Sequence, residues 1–171
     1  MPCGSAQASS HQSAAEAADW DSEGHLFYGA QTFSDAFRLA GFVYALDFST
    51  PSAINQSSRT AGVRATGQIE QFATRFDYAL TWANNQDYAA STAEYDLDYW
   101  GASVNAKHGP LTARVSYESL EGDGARGFFF PIASAHNFHG WAGVFGAKPA
   151  DGLNDFNASL AYEPGWAPSF L

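Results

Sequence analysis

The stretch at residues 72–83 constrains the fold of this chain more than any other. It reads FATRFDYALTWA, with large apolar residues at alternate positions and Ala, Arg, Asp or Thr between them. Because successive side chains of a β-strand point to opposite faces, this pattern predicts a strand with one apolar face and one small or charged face. Such a strand is long for a soluble sheet, where about five or six residues is typical. It matches the roughly 9–11 residues that a tilted strand needs to cross a bilayer.

Six further stretches alternate in the same way, which predicts about seven antiparallel strands in all. They cover residues 25–32, 37–48, 60–69, 94–107, 111–120 and 155–163. In 94–107 the apolar parity shifts by one residue near Tyr99 and Trp100, which predicts a bulge or a strand that begins near Asp98. The long connection 121–154 carries apolar residues at helical spacing, so we expect one short helix there.

The connections between these stretches alternate between short and long. Outer-membrane barrels combine short periplasmic turns with long extracellular loops. The alternation therefore favours an all-β, antiparallel, up-and-down transmembrane β-barrel. A soluble β-sandwich is the alternative, with aromatic residues in its core and charges in solvent.

Composition narrows the function. The net charge of −10 disfavours nucleic acid as a partner. The chain has no run of about 18 apolar residues that would form a transmembrane helix. Its single cysteine, Cys3, excludes an internal disulfide and a cysteine-based zinc site. Residues 1–19 have neither the basic nor the apolar segment of a signal peptide, so we expect a disordered or misassigned tail.

A barrel would divide the side chains between lipid and lumen. With the long connections outside the cell, aromatic residues form two membrane girdles at the ends of the apolar faces. The outer girdle would hold Phe48, Trp82, Trp100, Tyr117 and Phe156, and the inner girdle Phe72 and Tyr162. The opposite faces would line a water-filled pore with Arg64, Arg75, Asp77, Arg114 and Glu118.

No residue pattern predicts catalysis, a cofactor or a metal. His136 and His139 have helical spacing but lack an acidic residue that would complete a metal site. Asp77 and Glu118 could form the carboxylate pair of a glycoside hydrolase. We favour pore-wall charge instead, because an aqueous lumen accepts charges that a dry core does not.

Several motifs resemble the alginate-export-type family of bacterial outer-membrane porins. The family has a run from Phe-x-Thr-Pro-Leu through His-x-Phe-x-Gly-Trp-Ala-Asp to Pro-Ala-x-Gly-Leu. This chain carries similar residues at Gly127, Phe128, Pro131, His136, Phe138, Gly140, Trp141, Ala142, Phe145, Pro149, Ala150, Gly152 and Leu153. Further similar segments are 20–22 with 25–27, 44–48, 117–118 and 120–124. The chain departs from the family at Phe129, Phe130 and Gly143.

The resemblance implies a bacterial outer-membrane porin that passes a hydrophilic solute, for example a polysaccharide such as alginate, without catalysis. Its partners would be membrane lipid and the solute. The alternative function is that of a soluble secreted β-protein with an aromatic carbohydrate-binding face. We expect a disordered tail at 1–19, a partial barrel at 20–163 seen as a curved open sheet, and a tail at 164–171. The remaining strands and the signal peptide would lie outside this chain. The loop residues expected to narrow the pore are Phe128, Pro131, His136, Phe138 and Trp141.

Overall fold

The computed structural model describes residues 21–129 and 149–164. They form one antiparallel sheet whose strands follow chain order, which confirms the all-β prediction. The strands are β1 Ser22–Ser34, β2 Phe37–Phe48, β3 Ser58–Gln71, β4 Thr74–Asp87, β5 Asp96–His108, β6 Leu111–Leu120 and β7 Leu153–Tyr162. No helix in the described ranges is long and apolar enough to cross a membrane.

The connections alternate in length as predicted. Three two-residue turns, at 35–36, 72–73 and 109–110, lie along one edge, which we call the turn edge. The strand ends that are joined by the long connections 49–57, 88–95 and 121–152 lie along the opposite edge, the loop edge. Phe72 and Ala73 have φ angles of 51° and 57°. Two positive φ angles in a row are typical of the tight turn that joins twisted antiparallel strands. Phe72 therefore belongs to the turn and not to the strand in which the sequence placed it.

Of the two alternatives predicted for β5, the bulge is absent, and the strand begins at Asp96, two residues before Asp98. Pairing between β4 and β5 runs without a shift from Gln86↔Asp96 to Thr74↔His108. The apolar residues change parity at Tyr99 for another reason. At the loop edge, connections pack over the face of the sheet on which Leu97 and Tyr99 lie, so that face is apolar there. The expected short helix rested on residues 135–145, which lie outside the described residues. The structure has one 3₁₀ turn at Ile54–Gln56.

The sheet is open and uncurled, so the expected curvature is absent. β1 pairs only with β2, and β7 pairs only with β6. A sheet curls into a barrel when its two edge strands bond to each other. β1 and β7 do not pair with each other, so closure does not hold this sheet in a curled shape.

Cross-strand pairing separates two faces of different chemistry. Directly paired residues share a face, and successive pairs put Val63, Leu80, Val104, Val115 and Leu160 on one side, the apolar face. The other side is the charged face, defined by Arg64, Asp77, Asn105, Arg114 and Glu118.

The sequence placed the aromatic parity of β2 on the apolar face, and the register corrects this. Phe42 pairs with Gly62 and Ala40 pairs with Arg64, so the even-numbered residues of β2 lie on the charged face. These residues are apolar because connections at the loop edge pack over Phe42, Leu46 and Phe48. Leu46 and Phe48 form a small buried cluster with Ala53 of the following connection.

A second cluster lies under the other loop-edge connections. Ala83, Leu97 and Leu120 of the strands pack with Tyr95 and Phe128. We call residues 50–57, 88–95 and 121–129 together the loop cover. The charged face is thus dry at the loop edge and open to water towards the turn edge.

Candidate functional site

The structure places all five predicted pore-lining residues on one face. Arg64, Arg75, Asp77, Arg114 and Glu118 share the parity that pairing assigns to the charged face. They come from three strands, β3, β4 and β6. The sheet therefore presents them as one hydrophilic wall.

One cross-strand row crosses this wall directly below the loop cover. Pairing aligns Arg64, Thr81, Gly101, Glu118 and Asp155 across five strands. The Nη1 atom of Arg64 donates to Oγ1 of Thr81 at 3.0 Å. The guanidinium of Arg64 on β3 thus lies at one end of the row, and the carboxylates of Glu118 on β6 and Asp155 on β7 lie at the other end.

Tyr99 fixes the middle of this row. Its ring lies across Gly101, where an added Cβ would collide with the phenol oxygen. An aromatic ring over a strand glycine fills the gap that the missing side chain leaves. The Tyr99 hydroxyl donates to Oε1 of Glu118 at 2.8 Å. Tyr99 thus holds the Glu118 carboxylate in place, a role that its sequence position did not indicate.

The wall near the turn edge carries balanced charge. Nη2 of Arg75 lies 2.8 Å from Oδ1 of Asp77, and both side chains are substantially exposed. Water screens such an exposed pair, so it contributes little to stability. Arg114 lies between Asn105 and Ser159 in the register. This part of the face is a wettable surface with both signs of charge.

The carboxylates considered for glycoside hydrolysis do not form a catalytic pair. Asp77 on β4 and Glu118 on β6 lie two strand spacings apart across the sheet and four residues apart along the strand direction. At the usual strand and residue spacings this is about 16 Å. The carboxylates of glycosidases lie roughly 5–9.5 Å apart.

Most of the predicted girdle lies on the apolar face. Near the loop edge, the rings of Trp82 and Trp100 have centroids 6.2 Å apart, and Tyr117 and Phe156 are paired neighbours in the next row. Tyr162 lies at the turn edge, paired with Leu111. Phe72 is 88% exposed in its turn. Phe48 is the exception, because it lies on the charged face and is buried under the connection that follows β2.

Phe128 is the one predicted loop residue among those described, and it anchors the loop cover. It is 2% exposed, and its ring centroid lies 5.6 Å from that of Tyr99. Phe128 thus packs on the loop-edge end of the charged face, and the expectation that this loop narrows a pore stays a prediction. Pro131, His136, Phe138 and Trp141 lie outside the described residues.

Arg126 joins the three parts of the loop cover. Its guanidinium carbon lies 4.6 Å from the ring centroid of Tyr95 and 5.0 Å from that of Phe129. Its Nη2 atom donates to the carbonyl of Asn55 at 2.8 Å. The Asn55 side chain accepts from the backbone N–H and the hydroxyl of Thr92. Sequence reasoning missed Arg126, because its role depends on contacts with segments distant in the sequence.

A short acidic turn orients Arg126. Oδ1 of Asp123 accepts hydrogen bonds from the backbone N–H groups of Ala125 and Arg126, at 2.8 and 2.7 Å. These donors favour the ionised carboxylate, and they hold the pKa of Asp123 below its ordinary value. The turn is therefore strongest when Asp123 is charged.

Acidification should loosen this turn. A carboxyl group whose folded pKa is lowered stabilises the fold above its unfolded pKa, about 3.9, and this contribution is lost as the pH falls through the lower folded value. We expect amide hydrogen exchange at Ala125 and Arg126, corrected for its intrinsic pH dependence, to accelerate below about pH 4. Asp123→Asn keeps an acceptor oxygen but removes the charge, so its exchange should lose this pH step. A step that persists in Asp123→Asn would contradict this account.

The described ranges contain no group of three or more His, Cys, Asp or Glu side chains placed to hold a metal ion. Comparison of the chain with known protein families, with curated proteins and with solved structures found no match. The resemblance to alginate-export-type porins therefore stays a prediction.

Proposed function

We propose that this chain forms part of an outer-membrane porin, a β-barrel that passes a hydrophilic solute by diffusion. A polysaccharide such as alginate is the candidate that the sequence resemblance suggests. In this proposal the apolar face meets lipid and the charged face lines the water-filled pore. The open edges of β1 and β7 would bond to further strands.

The observation that carries the proposal is the bare apolar face. Across strands β3 to β7 it exposes large hydrophobic side chains, including Leu80, Trp100, Val104, Val115 and Phe156, the last at 68% exposure. Soluble monomers rarely leave an apolar patch of more than a few hundred Å² in water. Lipid covers such a surface at no cost, because its tails are equally apolar.

Strand length supports the same proposal. The seven strands have 10 to 14 residues. On β5, Trp100 and His108 bracket the apolar stretch, a rise of about 26 Å along the strand at 3.3 Å per residue. The apolar band of outer-membrane barrels is about 25 Å tall, and strand tilt shortens the projected height somewhat.

A soluble carbohydrate-binding protein is the second candidate. The observation that favours it is a group of neighbouring aromatic rings on the apolar face, with Trp100, Tyr117 and Phe156 exposed and Trp82 half-buried. Flat aromatic surfaces can stack against sugar rings. This candidate requires the apolar face to be wet, so accessibility to water separates the two functions.

Single cysteines test which medium each face meets. In a Cys3→Ser background, Leu80→Cys and Val115→Cys probe the apolar face, and their neighbours Thr81→Cys and Ser116→Cys are matched controls on the charged face. The full-length protein is reconstituted in vesicles and treated with a water-soluble maleimide. We expect the controls to react and the apolar-face cysteines to be protected. Equal reaction at all four positions would refute the porin proposal, and protection by added sugar would favour the second candidate.

Conductance tests the pore itself. The full-length protein in a planar bilayer should give discrete current steps. A bilayer that stays silent, with protein shown to be inserted by the labelling pattern, would exclude an open pore.

A further inference from the structure

Four buried polar atoms without a hydrogen-bond partner occur in the described residues, and all four belong to one region. They are Oγ of Ser58, Oδ1 of Asn85, the hydroxyl of Tyr95 and Nη1 of Arg126. Asn85 is 0% exposed, and Ser58 and Tyr95 are also buried. A buried polar atom left unpaired costs about 1–3 kcal/mol. Their concentration at one place therefore needs a specific explanation.

Pairing and loop contacts bring the four residues together. Ser58 pairs with Asp87 on the charged face, and Asn85 lies on the same face two residues away along β4. The backbone of Tyr95 bonds to the carboxylate of Asp87 at 3.2 Å. Arg126 stacks on the ring of Tyr95. The cluster thus lies between the loop-edge ends of β3 and β4 and the loop cover.

The hydroxyl of Tyr95 responds to its neighbours without bonding to them. Burial and, more weakly, the charge of Asp87 raise its pKa, while the Arg126 charge and the polar groups of Arg126 and Ser58 lower it. None of these groups meets the geometry of a hydrogen bond to the hydroxyl. The Tyr95 hydroxyl, the Arg126 guanidinium and the Ser58 side chain therefore lie close together at one point.

The chemistry of that point favours a negative charge. Arg126 has no carboxylate within salt-bridge distance in the described residues. The sequence that follows it, residues 130–148, contains no Asp or Glu. Two carboxylates lie near the cluster and both already accept hydrogen bonds, Asp87 from the Tyr95 N–H and Asp123 from the backbone N–H groups of Ala125 and Arg126. A guanidinium that is partly removed from water without a counter-charge is costly.

Asn85 can also turn a donor towards this point. Its Nδ2 atom donates to Oγ1 of Thr60 at 2.7 Å. Turning the amide over would let its oxygen accept from the Thr60 hydroxyl and direct N–H into the cluster, since the two orientations are nearly indistinguishable by shape.

We propose that this cluster binds one small monoanion, chloride in the cell, held by the guanidinium of Arg126 and the hydroxyls of Ser58 and Tyr95. The anion supplies a counter-charge in direct contact with Arg126 and fastens the loop cover to strands β3 and β4. This inference does not depend on whether the sheet surrounds a pore.

Bromide, which substitutes for chloride, is the probe. Thermal unfolding of the purified full-length protein is compared in sodium bromide and in sodium gluconate at equal ionic strength. We expect a melting temperature about 2–4 °C higher in bromide, because an ion that binds only the folded state stabilises it. Equal melting temperatures would overturn the proposal and assign the cluster to bound water.

Variants locate the effect. Tyr95→Phe with Ser58→Ala keeps the packing of the ring but removes both hydroxyls, and Arg126→Gln removes the charge. Both should lose the bromide shift. Arg59→Gln is the matched control, since Arg59 is exposed and bonds to Gln86 on the apolar face, and it should keep the shift. A shift that survives in the Tyr95/Ser58 variant would place the ion elsewhere and refute the site, even if Arg126→Gln does not fold.

Discussion

Val104→Arg should strongly destabilise the sheet in a bilayer, whereas Ser103→Arg, one residue away, should be tolerated. Val104 is 47% exposed at the centre of the apolar face, four residues from Trp100 and four from His108. Arg at the midplane of a lipid-facing barrel surface costs about 2–4 kcal/mol. That is a large part of the roughly 5–15 kcal/mol by which a domain is stable. Ser103 lies on the charged face, where Arg stays in water.

In a soluble protein, the two variants should instead have nearly the same stability. An exposed Val replaced by Arg then changes stability by about 0.5 kcal/mol or less. The measurement is the urea midpoint of the reconstituted full-length protein, followed by tryptophan fluorescence. A midpoint that Val104→Arg leaves within error of Ser103→Arg would contradict a lipid-facing role for this face.

Phe128→Ala should release the loop cover and raise the conductance of the proposed pore. Phe128 is buried against Leu97, Leu120 and Tyr99, and truncating a buried Phe costs about 3–5 kcal/mol. The cover lies over the loop-edge end of the charged face, so its release widens the path along that face. Larger single-channel steps, with faster hydrogen exchange in 121–129, are the expected result.

Phe156→Ala is the control for this experiment. It makes the same chemical change on the apolar face, where the ring is exposed and distant from the charged face. Its conductance should equal that of the wild type. A Phe128→Ala channel with unchanged steps would show that the cover does not narrow the path.

The sequence predicted the strands well because large apolar residues alternate with small or polar residues wherever a strand has one apolar face. The bounds of β2 and β6 agree with the structure to the residue. Alternation does not report which face of one strand joins which face of the next. For β2 the aromatic parity was assigned to the wrong side, since Phe42, Leu46 and Phe48 are covered by loops and not by the apolar environment of the other face.

The candidate site was predicted in part for the same reason. The charged positions of β3, β4 and β6 alternate regularly, so their common face could be inferred. Tyr99 and Arg126 could not, because their roles come from contacts between distant segments. Tyr99 bonds to Glu118, and Arg126 bonds to Asn55 across 71 residues of sequence. Local periodicity carries no information about such contacts.

The uneven connections also set an order of assembly. Every strand pairs with its neighbour in sequence, so most contacts are local and can form rapidly as successive hairpins. The connection 121–152 before β7 is more than three times as long as 49–57. Closing it costs about 1 kcal/mol more in chain entropy. Gly122, which lies against the backbone of Ala150 and Gly152 with no room for a side chain, marks where that closure is completed. We therefore expect β7 to dock last, and a bulkier residue at position 122 to slow this late step without altering the first six strands.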